Sequence, residues 1–280
     1  MLALDLAFLL PYKKKVDNAI KEALLQMGEK TPLIESIEYS LTGEAKRFRP
    51  LIVLFIAEAL GDKDVMDAAL AVEFFHTASL IADDLPCMDD DDMRRNKPSL
   101  HKVYGEDVAL LASYTLIAAG YERLSIASVK HGLNGPVLCT EALQLVSTRA
   151  GSMGATNGQY LDLYSQAKDL KTLDKIIYQK TVTLFEISFG LGFLFGGGKK
   201  EELQTVLEAA YHLGYAFQIA DDLQDMDQDE KSLATILGKE KALQVYQEHR
   251  RKFDEKCSQA KIVHKGLTRL VKLLDTLADV

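Results

Sequence analysis

Apolar residues in the second half of the chain recur three and four apart, as at Leu203, Val206, Leu207, Ala210 and Leu213, the spacing of a helix with one buried face. All six prolines (Pro11, Pro32, Pro50, Pro86, Pro98 and Pro136) precede that half, which is therefore free of the strongest helix breaker. Long uncharged apolar segments such as 108–119 read as helices buried on most sides. Strand signals are poor, because the lone Asn134-Gly135 reads as loop rather than as a hairpin between alternating runs. The pattern predicts an all-α fold, a single-domain bundle of many helices over residues 1–280 with no linker.

Two of these helices end alike. Ile81-Ala82-Asp83-Asp84-Leu85 recurs as Ile219-Ala220-Asp221-Asp222-Leu223, each followed by further acids: Asp89 to Asp92 in the first copy, Asp225, Asp227 and Asp229 in the second. Aspartate pairs at the ends of apolar helices are costly unless something neutralises them. Asp221 and Asp225 are four apart and share a helix face. Asp83 and Asp89 are six apart, and Pro86 between them is expected to break the helix and turn Asp89 back toward Asp83. Clustered carboxylates with open positions suit Mg²⁺, which takes oxygen ligands and fills its shell with water and substrate phosphates.

Composition adds a constraint. A net charge of −8 leaves no global basic field for nucleic acid or anionic lipid. An acidic chain that handled anionic substrates would need bound cations and a local basic cluster. Arg94, Arg95 and Lys97 follow the first acidic run, and Lys46, Arg47 and Arg49 precede an apolar helix. Arginine forks suit phosphate oxygens and lysine offers a point charge. His76 lies upstream of Asp83, Lys180-Thr181 within Tyr178 to Glu186, and Gln218 one turn before Asp222; none is distinctive alone. Cys87, Cys139 and Cys257 are an odd number without metal-like spacing. The apolar run 2–10 precedes its lysines, opposite to a secretory signal, and is too short to span a bilayer, so no membrane span and a cytoplasmic location are expected.

Together these residues resemble the trans-isoprenyl diphosphate synthase (polyprenyl synthetase) family, over about 43–237. Asp83-Asp84-Leu85-Pro86-Cys87-Met88-Asp89-Asp90-Asp91-Asp92-Met93-Arg94-Arg95 is similar to the family's first aspartate-rich motif, and Phe217-Gln218-Ile219-Ala220-Asp221-Asp222-Leu223-Gln224-Asp225 to its second. The resemblance implies the isoprenoid-synthase bundle around a central cavity. It also implies a Mg²⁺-dependent prenyltransferase joining isopentenyl diphosphate to an allylic diphosphate, with three magnesium ions and a homodimer. Asp83, Asp89 and Asp221 would hold the metal, with Asp84, Asp222 and Asp225 orienting ligands or waters. Arg94, Lys180 and Lys231 would take the allylic diphosphate; Lys46, Arg49, His76 and Arg95 would take that of isopentenyl diphosphate. Thr181 and Gln218 would turn oxygen dipoles to the allylic cation. Small Ala78 and Ser79, with Phe75 and Phe74 below, imply a chain tunnel suited to a twenty-carbon product, with fifteen carbons close behind.

The chain departs from the family pattern at Glu44-Ala45, Ala82, Asn96, Ser113-Tyr114 and Val182, and in the short segment between Asp225 and Lys231. These departures motivate an alternative, a catalytically weak subunit that modulates an active synthase. A terpene cyclase on the same scaffold would need no second diphosphate site, which the second basic cluster opposes.

Overall fold

A computed structural model describes residues 2–61, 63–165, 169–224, 226 and 232–278. Fourteen α-helices make up nearly all of it: α1 (Leu2–Leu25), α2 (Pro32–Leu41), α3 (Phe48–Leu60), α4 (Met66–Asp83), α5 (Leu100–Tyr104), α6 (Glu106–Val129), α7 (Gly135–Ala150), α8 (Ala155–Tyr164), α9 (Leu170–Ile176), α10 (Thr183–Gly196), α11 (Leu203–Gln224), α12 (Leu233–Leu237), α13 (Lys239–Gln259) and α14 (Lys265–Leu277). The all-α expectation holds, and the prolines act as punctuation. Pro32 opens α2 behind a Thr31 cap whose hydroxyl accepts from Ile34 N, and Pro136 lies in the first turn of α7. Pro11 instead lies inside α1, which runs through the apolar start and the lysines as one helix.

The bundle is organised around α10. Its sequence, Thr-Leu-Phe-Glu-Ile-Ser-Phe-Gly-Leu-Gly-Phe-Leu-Phe-Gly, has no polar face, and every residue but Leu184 is buried. A helix apolar all round belongs at the centre, and here α3, α4, α7 and α11 surround it. Around that axis, α4 packs on α6 and α11 on α13. The acidic ends of α4 and α11 thus belong to two of the helices packed on α10. No helix among the described residues is long and apolar enough to cross a membrane.

Two expectations are corrected. The segment 108–119 is not buried on most sides: α6 buries Ala109, Ala112, Ser113, Leu116 and Ala119 but leaves Leu111 and Tyr114 more than half exposed, with Leu110 and Ile117 beside them. Helical spacing gathers these four on one outer stripe. A small hairpin also interrupts the helices. Met93–Arg94 (β1) pairs antiparallel with Lys97–Pro98 (β2) across Arg95 and Asn96, both left-handed at φ 54° and 63°. Two consecutive positive-φ residues form the tight hairpin turn that matches strand twist, a role more often given to Asn-Gly. Arg95 in that turn concealed it from the sequence reading.

Arg47, grouped with Lys46 and Arg49 in the sequence, proves to be scaffold. It is 3% exposed and left-handed at φ 53°, and its guanidinium binds Asp17 at 2.8 Å, Glu73 and the Leu41 carbonyl. Removing one partner of such a buried network is strongly destabilising. Lys97 is likewise used structurally, donating to the Tyr39 carbonyl over the Tyr39 ring.

Candidate active site

Pro86 does what its position predicts. Helix α4 stops at Asp83, and a compact turn follows in which Leu85 N bonds to Ala82 O and Met88 N to Leu85 O. Asp89 N then donates to Asp83 O at 2.9 Å, so residues six apart are brought back together. Asp83 is partly buried. Burial above all, with the like charges of Asp89 and Asp84, lifts its carboxyl to about pKa 6 against the pull of Lys180 and Arg94. Asp89 is exposed; its Oδ1 accepts from Gln159 at 3.0 Å and its Oδ2 lies 3.8 Å from Lys180 Nζ. An oxygen-only pair with too little positive charge around it fits a hard divalent cation.

Lys180 and Thr181 join the two acidic ends. They sit in a π-helical turn, Ile177–Val182, that leads into α10; such turns are frequent at functional sites. Lys180 reaches toward Asp89 and binds Asp162 of α8 at 2.5 Å. Thr181, next in the chain, donates to Gln218 Oε1 at 2.7 Å, and Gln218 Nε2 donates to Asp222 at 2.8 Å. With its proton committed to Gln218, the Thr181 hydroxyl keeps oxygen lone pairs for whatever lies beside it. Asp222 is buried, its carboxyl raised chiefly by that burial, and its other oxygen accepts Leu233 N at the start of α12. Asp221, next to it, is exposed.

The π turn is seated by a glycine. A Cβ on Gly158 of α8 would lie 2.3 Å from Lys180 N and 2.7 Å from the Gln179 carbonyl carbon, both backbone atoms that cannot swing away. Gly158→Ala is therefore expected to cost about 1–3 kcal/mol by overpacking. Calorimetry should show the melting temperature falling by several degrees, together with a drop in turnover as Lys180 and Thr181 shift. Unchanged melting and turnover would mean that this contact does not set their position.

The hairpin sends the two arginines apart. Arg94 turns to the acids: Nε donates to Asp84 at 2.8 Å and Nη2 to Asp91 at 2.7 Å. Asp84, expected to support the metal site by orienting ligands or waters, is buried, and its Oδ1 takes two donors from Arg94. In this arrangement it holds that guanidinium beside Asp83. Arg95 faces a second group, where it feels Glu73 and Arg47.

That second group is a basic pocket with unmet hydrogen-bonding capacity. Arg49 lies over the Phe185 ring at 5.0 Å and the Phe217 ring at 5.9 Å. Burial lowers its pKa to about 10, with Glu73 and Asp221 opposing and Arg95 reinforcing the shift. Its Nη1 lies 3.2 Å from His76 Nε2. The arginine must be the donor, so the imidazole proton is on Nδ1. Burial, then Arg49, Arg95, Arg94 and Arg47, push the His76 pKa well below its ordinary value, leaving the ring neutral. His76 Nδ1 and Arg49 Nε are both buried without partners among the described residues. Two orphaned donors amid uncompensated positive charge describe an anion pocket. Lys46 is exposed one residue before Arg47.

The site thus gathers Asp83, Asp84, Asp89, Arg94 and Lys180 in one group, Thr181, Gln218 and Asp222 in a second, and Arg49, His76 and Arg95 in a third that Asp221 reaches electrostatically. Asp225 and Lys231 lie outside the described residues. Sequence reasoning missed Gln159 and Asp162, whose contacts to Asp89 and Lys180 carry no local signal; Asp91 lay in the acidic run, and its role toward Arg94, three residues on, was not assigned.

Residues 30–243 match the family profile of polyprenyl synthetase. Geranylgeranyl pyrophosphate synthase 3, chloroplastic, of Arabidopsis thaliana is 36% identical over 245 residues, covering 85% of this chain and 68% of its own. The heterodimeric geranylgeranyl pyrophosphate synthase large subunit 1, chloroplastic, of the same plant is 37% identical over 235 residues, covering 81% and 63%. The chain therefore spans about two thirds of the length of these relatives. Among solved structures, an apo FPP/GFPP synthase from Zymomonas mobilis superposes with a TM-score of 0.86 at 29% identity, covering 99% of this chain and all of that one. The chain belongs to the polyprenyl synthetase family.

Proposed function

We propose that this protein is a short-chain trans-prenyl diphosphate synthase that condenses isopentenyl diphosphate with dimethylallyl, geranyl or farnesyl diphosphate. The observation that carries the reading is the pairing of two unlike anion sites: carboxylates with Lys180 and Arg94 on one side, and the orphaned donors of Arg49 and His76 on the other. Asp83 and Asp89 at the end of α4 and Asp221 on α11 would hold magnesium with the allylic diphosphate. When bound, the metal supplies positive charge to the departing pyrophosphate. Lys180 and Arg94 add to that charge, so the allylic C–O bond ionises. Lys231, by resemblance, would assist. Arg49, His76, Arg95 and Lys46 hold the second diphosphate so that the isopentenyl double bond faces the cation. Thr181, oriented by Gln218, turns its oxygen toward that cation. The proton lost at the end passes to the released pyrophosphate, and no side chain serves as nucleophile.

Product length is proposed from the floor beneath Asp83. Ala78 is buried and its carbonyl accepts from Ser113 of α6 at 3.0 Å. One turn lower, Phe75 lies edge-on to Tyr121 at 5.1 Å and presses on Gly120, where a Cβ would come within 2.6 Å of its ring. Small Ala78 over a fixed Phe75 supports a twenty-carbon product, as do the names of the plant relatives. Ala78→Phe is expected to shorten the main product by at least one five-carbon unit in chromatography of the dephosphorylated alcohols. An unchanged product would remove Ala78 from the floor. The exposed stripe Leu110, Leu111, Tyr114 and Ile117 on α6 supports a homodimer packed through that face. We take residues 1–280 to work as one polyprenyl synthase domain.

The test is incubation of the purified protein with isopentenyl diphosphate and each primer, with and without Mg²⁺. A magnesium-dependent prenyl diphosphate of defined length is expected. No elongation with any primer would favour the modulating-subunit reading.

A further inference from the structure

The acidic run that begins at Asp89 does not act as one cluster. Asp89 faces Gln159 and Lys180, and Asp91 faces Arg94. Asp90 and Asp92 turn elsewhere, toward His101 at the start of α5, where one ligand atom from each of the three residues lies within 4.8 Å of the others. The backbone holds them there. Asp90 is left-handed at φ 53° with its N bonded to Leu85 O at 3.2 Å, and Asp92 O accepts Ser99 N at 2.9 Å, which ties the loop to the residue before α5.

His101 supplies the second, independent observation. It is only 8% exposed, and neither ring nitrogen has a hydrogen-bond partner among the described residues. A buried imidazole with both nitrogens unmet is uncommon and costs free energy. The carboxylates of Asp90 and Asp92 lie beside it, and Asp84 also feels its charge from further along the same loop. Asp92 also binds Lys102 Nζ at 2.6 Å through Oδ1, a contact at the surface that an ion of higher charge can outcompete.

We infer that Asp90, Asp92 and His101 form a separate site for a divalent transition-metal ion of the Zn²⁺ or Co²⁺ class, which clips the acidic loop to α5. The imidazole sets the class: nitrogen donors suit zinc and its neighbours, whereas magnesium prefers oxygen alone. Two carboxylates and one imidazole leave a fourth position for water. The role is structural, since the clip lies between Asp89 and the hairpin on one side and α5 on the other. It stands independently of the diphosphate reading, because a folded chain that made no product would still bind the ion.

The full chain, stripped with a chelator, would be titrated with Co²⁺ in the presence of excess Mg²⁺ while its visible ligand-field bands are recorded. One equivalent should bind despite the Mg²⁺ and be displaced by Zn²⁺. His101→Gln and, separately, the exposed Asp90→Asn should each weaken binding by at least about tenfold, while Asp221→Asn leaves it unchanged. Zn²⁺ should also raise the melting temperature of the parent chain but not of His101→Gln. Equal Co²⁺ affinity in the parent, His101→Gln and Asp90→Asn chains would overturn the site. So would loss of binding in Asp221→Asn or its abolition by Mg²⁺, since either would place the ion at the diphosphate site instead.

Discussion

Replacing Asp83 or Asp221 with asparagine is expected to lower kcat/KM by at least about 10³-fold, roughly 4 kcal/mol of transition-state stabilisation. The helical fold should survive in both. Asparagine keeps the shape and removes the charge that draws the metal. For Asp83 the stability change has a predicted sign. Burial first, then Asp89 and Asp84, raise its folded pKa to about 6, above its unfolded value. Stability that this group contributes in its protonated form is lost as pH rises through about 6, so at pH 7 without metal its ionisation weakens the fold. Asp83→Asn should therefore leave the metal-free melting temperature unchanged or higher while activity collapses, as for a residue kept for function at some cost in stability. Circular dichroism and steady-state kinetics check the two halves. Retained turnover in both variants would sink the metal assignment.

The second large effect is expected at Arg49. Arg49→Gln should raise KM for isopentenyl diphosphate by about 10–100-fold while leaving KM for the allylic primer nearly unchanged. The estimate is one or two lost charge-assisted hydrogen bonds at about 1.5–3 kcal/mol each. Arg49→Lys should recover only part of the loss, because an ammonium keeps the charge but not the fork or the stacking on Phe185 and Phe217. Measuring KM for each substrate separately is the check, and an equal rise in both would show that Arg49 does not distinguish the two anion sites.

Much of the site was legible because its signals are local. The repeated Ile-Ala-Asp-Asp-Leu places acids at two helix ends, and Pro86 dictates the turn that returns Asp89 to Asp83. What escaped depends on contacts distant in sequence or on backbone form. Gln159 and Asp162 reach the site only because Gly158 lets α8 approach the π turn. The resemblance already gave Arg94 and Arg95 different partners, but the means was hidden: an Arg-Asn turn with both residues left-handed points them to opposite groups. Arg47 looks like Arg49 in sequence, but Asp17 and Glu73 make it scaffold. The outer stripe of α6 read as core because apolar content alone does not say which face a neighbour covers.

In the proposed reaction the two diphosphates occupy two chemically different pockets. A crystal structure with Mg²⁺, isopentenyl diphosphate and a non-ionising sulfur analogue of dimethylallyl diphosphate tests it most directly. The expected result is metal between Asp83, Asp89, Asp221 and the analogue's diphosphate, with metal-free isopentenyl diphosphate accepting hydrogen bonds from His76 Nδ1 and Arg49 Nε. Metal ligated by neither aspartate group, or both diphosphates on the acidic side with the Arg49 pocket left to solvent, would contradict it.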